Sequence, residues 1–186
     1  EEQELANQVN HLAVKQLAEI SKAQHTKLIH ISTDYVFDGE SDKPYLESDT
    51  PNPINVYGKT KLAGEKTLQA IMSTNAIIIR TSWVYSEFNN NFVKTMLRLG
   101  QERNELNVVS DQIGSPTYAT DLAEVILKII SNKNYQNKEQ STEVYHYSNE
   151  GEISWYDFAK EIFKIAKINC KVNPITTQQY PTPAKR

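Results

Sequence analysis

The chain has 186 residues, of which 39% are apolar and 23% charged, and its formal net charge is -3 at pH 7. These values are typical of a globular protein of one domain or one and a half. Acidic and basic residues are mixed along the chain, which disfavours a nucleic-acid-binding or membrane-surface protein. Scattered histidines and a lone cysteine disfavour a zinc site and a disulfide framework, and we expect a cytoplasmic protein.

The first elements lead from a helix through a strand to a long loop. Apolar residues from Leu5 to Ile20 recur at intervals of three and four, which predicts an amphipathic helix over 3–24. A buried strand follows over 27–32, and the polar segment 33–52 predicts a loop of the kind that carries functional residues. The next helix should begin at Pro53, with Asn52 as its cap, and run to about residue 72.

The remainder of the chain continues this alternation. Strands are predicted at 76–82, 105–110, 144–148 and 171–176, and helices at 90–102, 119–131 (capped by Thr120) and 154–167. Strands alternating with helices of ten to twenty residues are typical of an α/β protein with a parallel sheet covered by helices. Shorter strands after about residue 83 indicate a smaller second lobe. Ligands in such folds bind at the carboxyl ends of strands, here after Ser32 and Arg80.

A tyrosine and a lysine stand four residues apart in "VYGKTK" (56–61). On a helix, such residues share one face. A nearby ammonium favours the phenolate, which brings the pKa of a tyrosine from near 10 towards the neutral range where acid–base catalysis works best. Tyr57 and Lys61 could therefore be a catalytic acid and its activator. The alternative is an ordinary pair on an amphipathic helix.

Further candidates follow the predicted strands. In "STDYVFDG" (32–39), Ser32 and Thr33 could donate to an oxygen that gains charge, or could satisfy the backbone of a turn. In "RTSWVY" (80–85), Trp83 could stack on a ring of a ligand or could belong to the core. In "DQIGSPT" (111–117), Gly114 and Pro116 predict a fixed turn, with or without a ligand contact.

Four segments together carry a resemblance to a known family. "STDYVFDG", "NPINVYGKTKLAGE", "RTSWVY" and "DQIGSPTYATDLA" occur in the same order and spacing as in dTDP-4-dehydrorhamnose reductases, of the extended short-chain dehydrogenase/reductase superfamily. "YHYSNEGEISWYDFAKEIF" is similar to the substrate lobe of that family. The resemblance implies a Rossmann-like parallel sheet. Residues 1–82 would be the C-terminal half of the NAD(P)-binding domain, and 83–186 mainly a substrate-binding lobe with interleaved Rossmann elements.

The resemblance also implies an activity and roles for residues. Such enzymes reduce the 4-keto group of dTDP-4-dehydro-6-deoxy-L-mannose with NADPH or NADH, giving dTDP-L-rhamnose for polysaccharide biosynthesis. By similarity, Tyr57 would protonate the forming alkoxide, and Lys61 would lower the pKa of Tyr57 and hold the nicotinamide ribose. The other implied contacts are Thr33 to the reacting oxygen, Asp34 to the sugar, Trp83 in the sugar pocket and the backbone of Ile31 near the nicotinamide.

The chain departs from the family in one respect. It lacks the glycine-rich G-x-x-G-x-x-G turn that places the cofactor pyrophosphate on a helix N-terminus. We therefore expect the first half of the nucleotide-binding domain, and a short C-terminal piece, to lie outside this chain, which by itself should bind NADPH poorly and be inactive. The expected partners are a dTDP-sugar and neither nucleic acid nor membrane. A homodimer and Mg²⁺ are compatible with the family, but no residue here supports a metal site.

Two alternatives within the superfamily remain open. The regulatory subunit of methionine adenosyltransferase keeps this fold as a partner protein, and such subunits can retain the Tyr57 and Lys61 pair. A different nucleotide-sugar reductase, epimerase or dehydratase is the other alternative. Dehydratases usually carry Asp-Glu beside the hydroxyl residue, and the sequence Asp34-Tyr35 disfavours that route.

Overall fold

A computed structural model describes residues 2–180. Within that range, the chain divides into two units. The first comprises residues 2–81 and 124–147, and the second comprises 82–123 and 148–180. None of the helices in the described range is long and apolar enough to cross a membrane.

The first unit combines helices with a three-stranded sheet. Residues 2–23 form one continuous helix made of α1 (Glu2–Asn7), a π-helical turn (Gln8–Leu12) and α2 (Ala13–Ala23). All three strands are parallel, in the order β1-β2-β7, and they are β1 (Leu28–Thr33), β2 (Ala76–Thr81) and β7 (Glu143–His146). The remaining elements are a 3-10 turn (Asp34–Val36), α3 (Val56–Ile71) and α6 (Lys133–Asn137).

Strand β2 lies at the centre of the sheet and of the core of this unit. Every residue of β2 is buried, as expected of a central strand in a parallel sheet covered by helices. The core joins β2 to α2 and α3 through Val14, Ala18, Leu68, Met72, Ala76 and Ile78. Gly64 of α3 lies directly against the carbonyl oxygen of Asn10 in the π-helical turn, so the two helices meet where a Cβ atom would not fit.

The second unit has three separate strand pairs. Two are parallel: β3 (Val84–Tyr85) with β6 (Thr117–Tyr118), and β4 (Glu105–Val109) with β9 (Lys171–Ile175). The third is antiparallel and joins β5 (Ile113–Gly114) to β8 (Ile153–Ser154). Helices α4 (Phe92–Glu102) and α7 (Trp155–Ala166) pack on a core of Met96, Leu106, Val108, Ala159, Ile162, Phe163 and Cys170. Helix α5 (Ala119–Ser131) begins in this unit and continues into the first.

The structure confirms the α/β fold class and its Rossmann-like parallel sheet, and it corrects two helix starts. Helix α3 begins at Val56 and not at Pro53, because Asn55, in an extended conformation, accepts a hydrogen bond from the N–H of Gly58 (2.8 Å). Asn52 is therefore not the cap. Helix α5 begins at Ala119, so Thr120 lies inside its first turn and does not cap it.

Candidate active site

The end of strand β1 forms the first part of the site. Thr33 is the last residue of the strand and is buried. Its side-chain oxygen accepts a hydrogen bond from the N–H of Tyr35 (3.2 Å) and donates one to Asp34 Oδ1 (2.9 Å). This hydroxyl therefore caps the 3-10 turn that follows the strand, as the turn alternative in the sequence predicts. The same contacts fix it at the carboxyl edge of the sheet.

The first turn of α3 brings Tyr57 to this strand end. The approach depends on Gly58, where an added Cβ would collide with the carbonyl oxygen of Tyr35 and come within 3.0 Å of the Pro53 Cβ. The rings of Tyr57 and Tyr35 pack edge to face, with centroids 5.7 Å apart. The phenol of Tyr57 lies within interaction range of the Thr33 side chain, while the residue remains 47% exposed. The two hydroxyl groups that the sequence singled out thus meet.

Lys61 lies one helical turn further along α3 and reaches the same strand. Its Nζ donates a hydrogen bond of 2.7 Å to the carbonyl oxygen of Ile31. Burial lowers the pKa of Lys61 below its usual 10.5, and the negative charge of Glu65 partly offsets that effect. The structure therefore brings Ile31, Thr33, Tyr57 and Lys61 together at one strand end, with Asp34 beside them.

The electrostatics differ from the expectation for Tyr57. Removal of the phenol from water is the largest cause and raises the pKa of Tyr57 above the usual 10.0. The interaction with Thr33 lowers the pKa, and the charge of Asp34 raises it. This direction is opposite to the lowering that the resemblance implies, and the role of Lys61 towards Tyr57 stays a prediction. The Lys61 ammonium donates to a backbone carbonyl, and burial dominates at the phenol. Burial also raises the pKa of Asp34, more than its hydrogen bonds lower it.

The residues present fit one portion of a nicotinamide cofactor. An ammonium has three N–H donors, and Lys61 gives one to Ile31. Its remaining donors suit the hydroxyl groups of a ribose. The six glycines of the chain form no phosphate-binding turn, so these residues do not supply a pyrophosphate site. Within residues 2–180, no group of three or more His, Cys, Asp or Glu side chains is arranged to hold a metal ion.

Sequence reasoning missed a buried ion pair behind the site. Glu65 and Arg80 are 1% and 6% exposed, and Arg80 Nη2 donates to Glu65 Oε2 at 2.7 Å. One signal pointed to it: Arg80 is the charged residue of an otherwise uncharged buried strand, and a buried charge needs a partner.

Trp83 belongs to the second unit, whereas Thr33, Tyr57 and Lys61 belong to the first. Its backbone has a left-handed φ of 47°. The Trp83 ring stacks on Trp155 with centroids 3.4 Å apart and planes inclined by 11°. Gly114 also lies against the indole, where an added Cβ would be 2.6 Å from Trp83 Cε2. The ring is thus held by a tryptophan and a glycine of its own unit.

Comparison with known proteins places the chain in a family. All of residues 1–186 match the family described as the RmlD substrate binding domain. The chain is 46% identical, over 97% of its length, to a dTDP-4-dehydrorhamnose reductase of Aggregatibacter actinomycetemcomitans. It is 44% identical, over its full length, to the dTDP-4-dehydrorhamnose reductase of Escherichia coli strain K12. It spans 63% of the length of each of these relatives.

Solved structures support the same family assignment. The chain superposes with a TM-score of 0.92 on the dTDP-4-dehydrorhamnose reductase of Clostridium acetobutylicum, at 45% identity, covering 100% of this chain and 63% of that one. The reductase of Bacillus anthracis, solved in complex with NADP, gives the same TM-score and coverage at 43% identity. The chain therefore belongs to the RmlD substrate binding domain family.

Proposed function

We propose that the protein carrying this chain reduces the 4-keto group of dTDP-4-dehydrorhamnose to give dTDP-L-rhamnose, with NADPH or NADH as the reductant. The observation that carries the proposal is the meeting of Thr33, Tyr57 and Lys61 at the carboxyl end of β1. A keto reductase needs a proton donor beside the carbonyl oxygen, and ligands bind at this edge of α/β sheets. Membership of the family and the names of the relatives support the same activity.

The proposed chemistry divides between carbon and oxygen. A bound nicotinamide cofactor would supply the hydride that adds to C4 of the sugar. As negative charge grows on the carbonyl oxygen, the Thr33 O–H, which now donates to Asp34 Oδ1, would turn to that oxygen and stabilise it, and Tyr57 would give it a proton. Lys61 holds the ribose hydroxyls and supports the phenolate that Tyr57 leaves behind. Asp34 and Trp83 are proposed to contact the sugar, and the backbone of Ile31 to lie near the nicotinamide.

The raised pKa of Tyr57 suits this direction of reaction. A general acid must hold its proton until the transition state, and the raised direction of the Tyr57 pKa favours the protonated phenol. The charge of Lys61 then matters most after proton transfer. We therefore propose Lys61 as a stabiliser of the product phenolate and as a cofactor contact, more than as an agent that ionises Tyr57 beforehand.

A second substrate is favoured by one relative. The dTDP-4-keto-6-deoxy-D-glucose reductase of Streptomyces niveus is 39% identical to 84% of this chain. Both substrates carry a 4-keto group on a dTDP-6-deoxysugar, so Thr33 and Tyr57 would perform the same chemistry on either. Discrimination between the two dTDP-sugars would depend on contacts with the other substituents of the sugar ring.

The test offers both dTDP-sugars, each with NADPH and with NADH, to the whole protein. Loss of absorbance from the reduced cofactor is recorded, and the sugar product is identified by chromatography and mass spectrometry. We expect cofactor oxidation and dTDP-L-rhamnose from the first substrate. Cofactor oxidation with the second substrate alone would favour the other reductase. No oxidation with either would favour the non-catalytic partner alternative.

A further inference from the structure

A buried ion pair ties the helix of the candidate site to the central strand. Arg80 Nη2 donates to Glu65 Oε2 (2.7 Å), and Arg80 Nε approaches both carboxylate oxygens, at 3.1 and 3.2 Å. Glu65 lies on α3 and Arg80 on β2. Because both side chains are removed from water, the desolvation cost is repaid only by close geometry of this kind. The pair therefore links α3 to β2 through a buried, charged contact.

Glu65 stands on the face of α3 that the site uses. Tyr57, Lys61 and Glu65 follow each other at intervals of four residues, so they lie one above another on the helix. Tyr57 meets Thr33, and Lys61 meets the carbonyl oxygen of Ile31. Glu65, the third residue of this row, is bound to β2 by its ion pair with Arg80.

Arg80 extends the attachment to other parts of the first unit. It lies opposite Ser32 in the register of β1 and β2. Its Nη1 is 3.5 Å from His146 Nε2 on β7, and its guanidinium lies 5.2 Å from the ring centre of Phe37, just after the 3-10 turn. One side chain thus contacts α3, β7 and the segment that follows Asp34.

We propose that Glu65 and Arg80 are positioning residues of the site, which hold α3 so that Lys61 meets Ile31 and Tyr57 meets Thr33. This inference rests on the proposed reductase function. The pair itself touches neither of the proposed reacting groups and acts through Lys61 and Tyr57.

The charges around Lys61 give the pair a second effect. From its own helix, Lys61 interacts with the carboxylate of Glu65, and from β1 with His30. The pKa of His30 is lowered to about 4, so this imidazole is neutral at neutral pH. From β2 comes Arg80, whose charge is matched by Glu65. Glu65 is the group whose charge raises the pKa of Lys61, so it helps to keep the ammonium charged.

The test replaces both partners in the whole protein, Glu65→Leu with Arg80→Met. Apolar residues of similar volume can replace a buried ion pair without loss of stability, whereas a single substitution leaves an unpaired buried charge. We expect the double variant to fold, and its kcat to fall roughly 10- to 100-fold through misplacement of the reacting groups. The alkaline limb of its pH–rate profile should move to lower pH. A control, Arg98→Met with Glu102→Leu, removes an exposed ion pair of α4 and should change neither kcat nor the profile.

Two outcomes separate this proposal from its alternatives. A folded double variant with wild-type kcat and a wild-type alkaline limb would show that the pair serves stability alone, and would overturn the proposal.

NMR titration of the Lys61 side chain provides a measurement that needs no activity. We expect a lower Lys61 pKa in the double variant than in the wild type, even if the wild type fails to reduce either dTDP-sugar. An unchanged Lys61 pKa would overturn the electrostatic part. If the double variant does not fold, Arg80→Lys is the replacement test, since lysine keeps the charge but loses the bidentate contact with Glu65. The proposal then requires that Arg80→Lys lower kcat, and an unchanged kcat would overturn it.

Discussion

Lys61 donates a hydrogen bond of 2.7 Å to the main-chain carbonyl oxygen of Ile31, thirty residues earlier in the chain. The contact joins α3 to the carboxyl end of β1, two residues before Thr33. It also brings a positive charge close to His30, whose side chain lies on the neighbouring position of β1. The site is therefore coupled to the protonation of a residue with no proposed role in catalysis.

His30 should make the stability of the protein depend on pH. Burial, and then the charge of Lys61, lower the pKa of His30 from 6.5 to about 4. Between these values the unfolded chain binds a proton that the folded chain does not, so the free energy of unfolding falls as pH drops through this window. The loss should be on the order of 2 kcal/mol between pH 7 and pH 4. Urea unfolding at several pH values measures it.

The matched variant for this prediction is His30→Gln, which cannot titrate. Its free energy of unfolding should decline less than that of the wild type over the same pH range. Parallel declines in the two proteins would contradict the assignment of this effect to His30.

Gly58→Ala should destabilise the protein, although alanine is ordinarily the better helix former. The added methyl group would collide with the carbonyl oxygen of Tyr35. We expect the free energy of unfolding to fall by about 1–3 kcal/mol, the usual cost of overpacking. The exposed neighbour provides the control, since Lys59→Ala should change stability by less than about 0.5 kcal/mol. A Gly58→Ala variant as stable as the wild type would mean that α3 does not need this close approach.

Gly114→Ala should disturb Trp83, which belongs to the same unit. The new Cβ would lie 2.6 Å from Trp83 Cε2, and the indole is held on Trp155, so the ring must move. If Trp83 lines the sugar pocket, the KM for the dTDP-sugar should rise roughly 10-fold, with a smaller change in kcat. Steady-state kinetics and tryptophan fluorescence measure the two effects.

Ile113→Ala is the control for this variant, because Ile113 is 62% exposed and adjacent in sequence. It should leave KM unchanged. A shift in fluorescence with no change in KM for Gly114→Ala would argue that Trp83 is a core residue and not a pocket residue.

The sequence predicted the larger elements because their signals are local. The apolar run at the start of β2 and the three-and-four spacing of residues 2–23 identify a buried strand and an amphipathic helix without knowledge of their neighbours. The start of α3 was missed because Pro53 and Asn55 both offer a helix start, and only the extended conformation of Asn55 decides between them. Four strands of two residues each are too short to show a period.

The chemistry of the site was less predictable. Spacing alone places Tyr57 and Lys61 on one face, but the direction of the Tyr57 pKa depends on burial, which arises only when α3 packs on β1. The partner of Glu65 lies fifteen residues later on a different element, so no helical spacing reveals it. Trp83 stays a predicted substrate contact, and the roles of Thr33, Tyr57 and Lys61 stay proposals that kinetics must test.

The most direct test is Tyr57→Phe in the whole protein, assayed with dTDP-4-dehydrorhamnose and NADPH. The variant removes the proposed proton donor and keeps the ring, which packs on Tyr35. We expect kcat to fall at least about 100-fold, the usual contribution of a general acid, with little change in either KM. A kcat close to that of the wild type would contradict the assignment of Tyr57 as the acid and, with it, the account of the site given by Thr33, Tyr57 and Lys61.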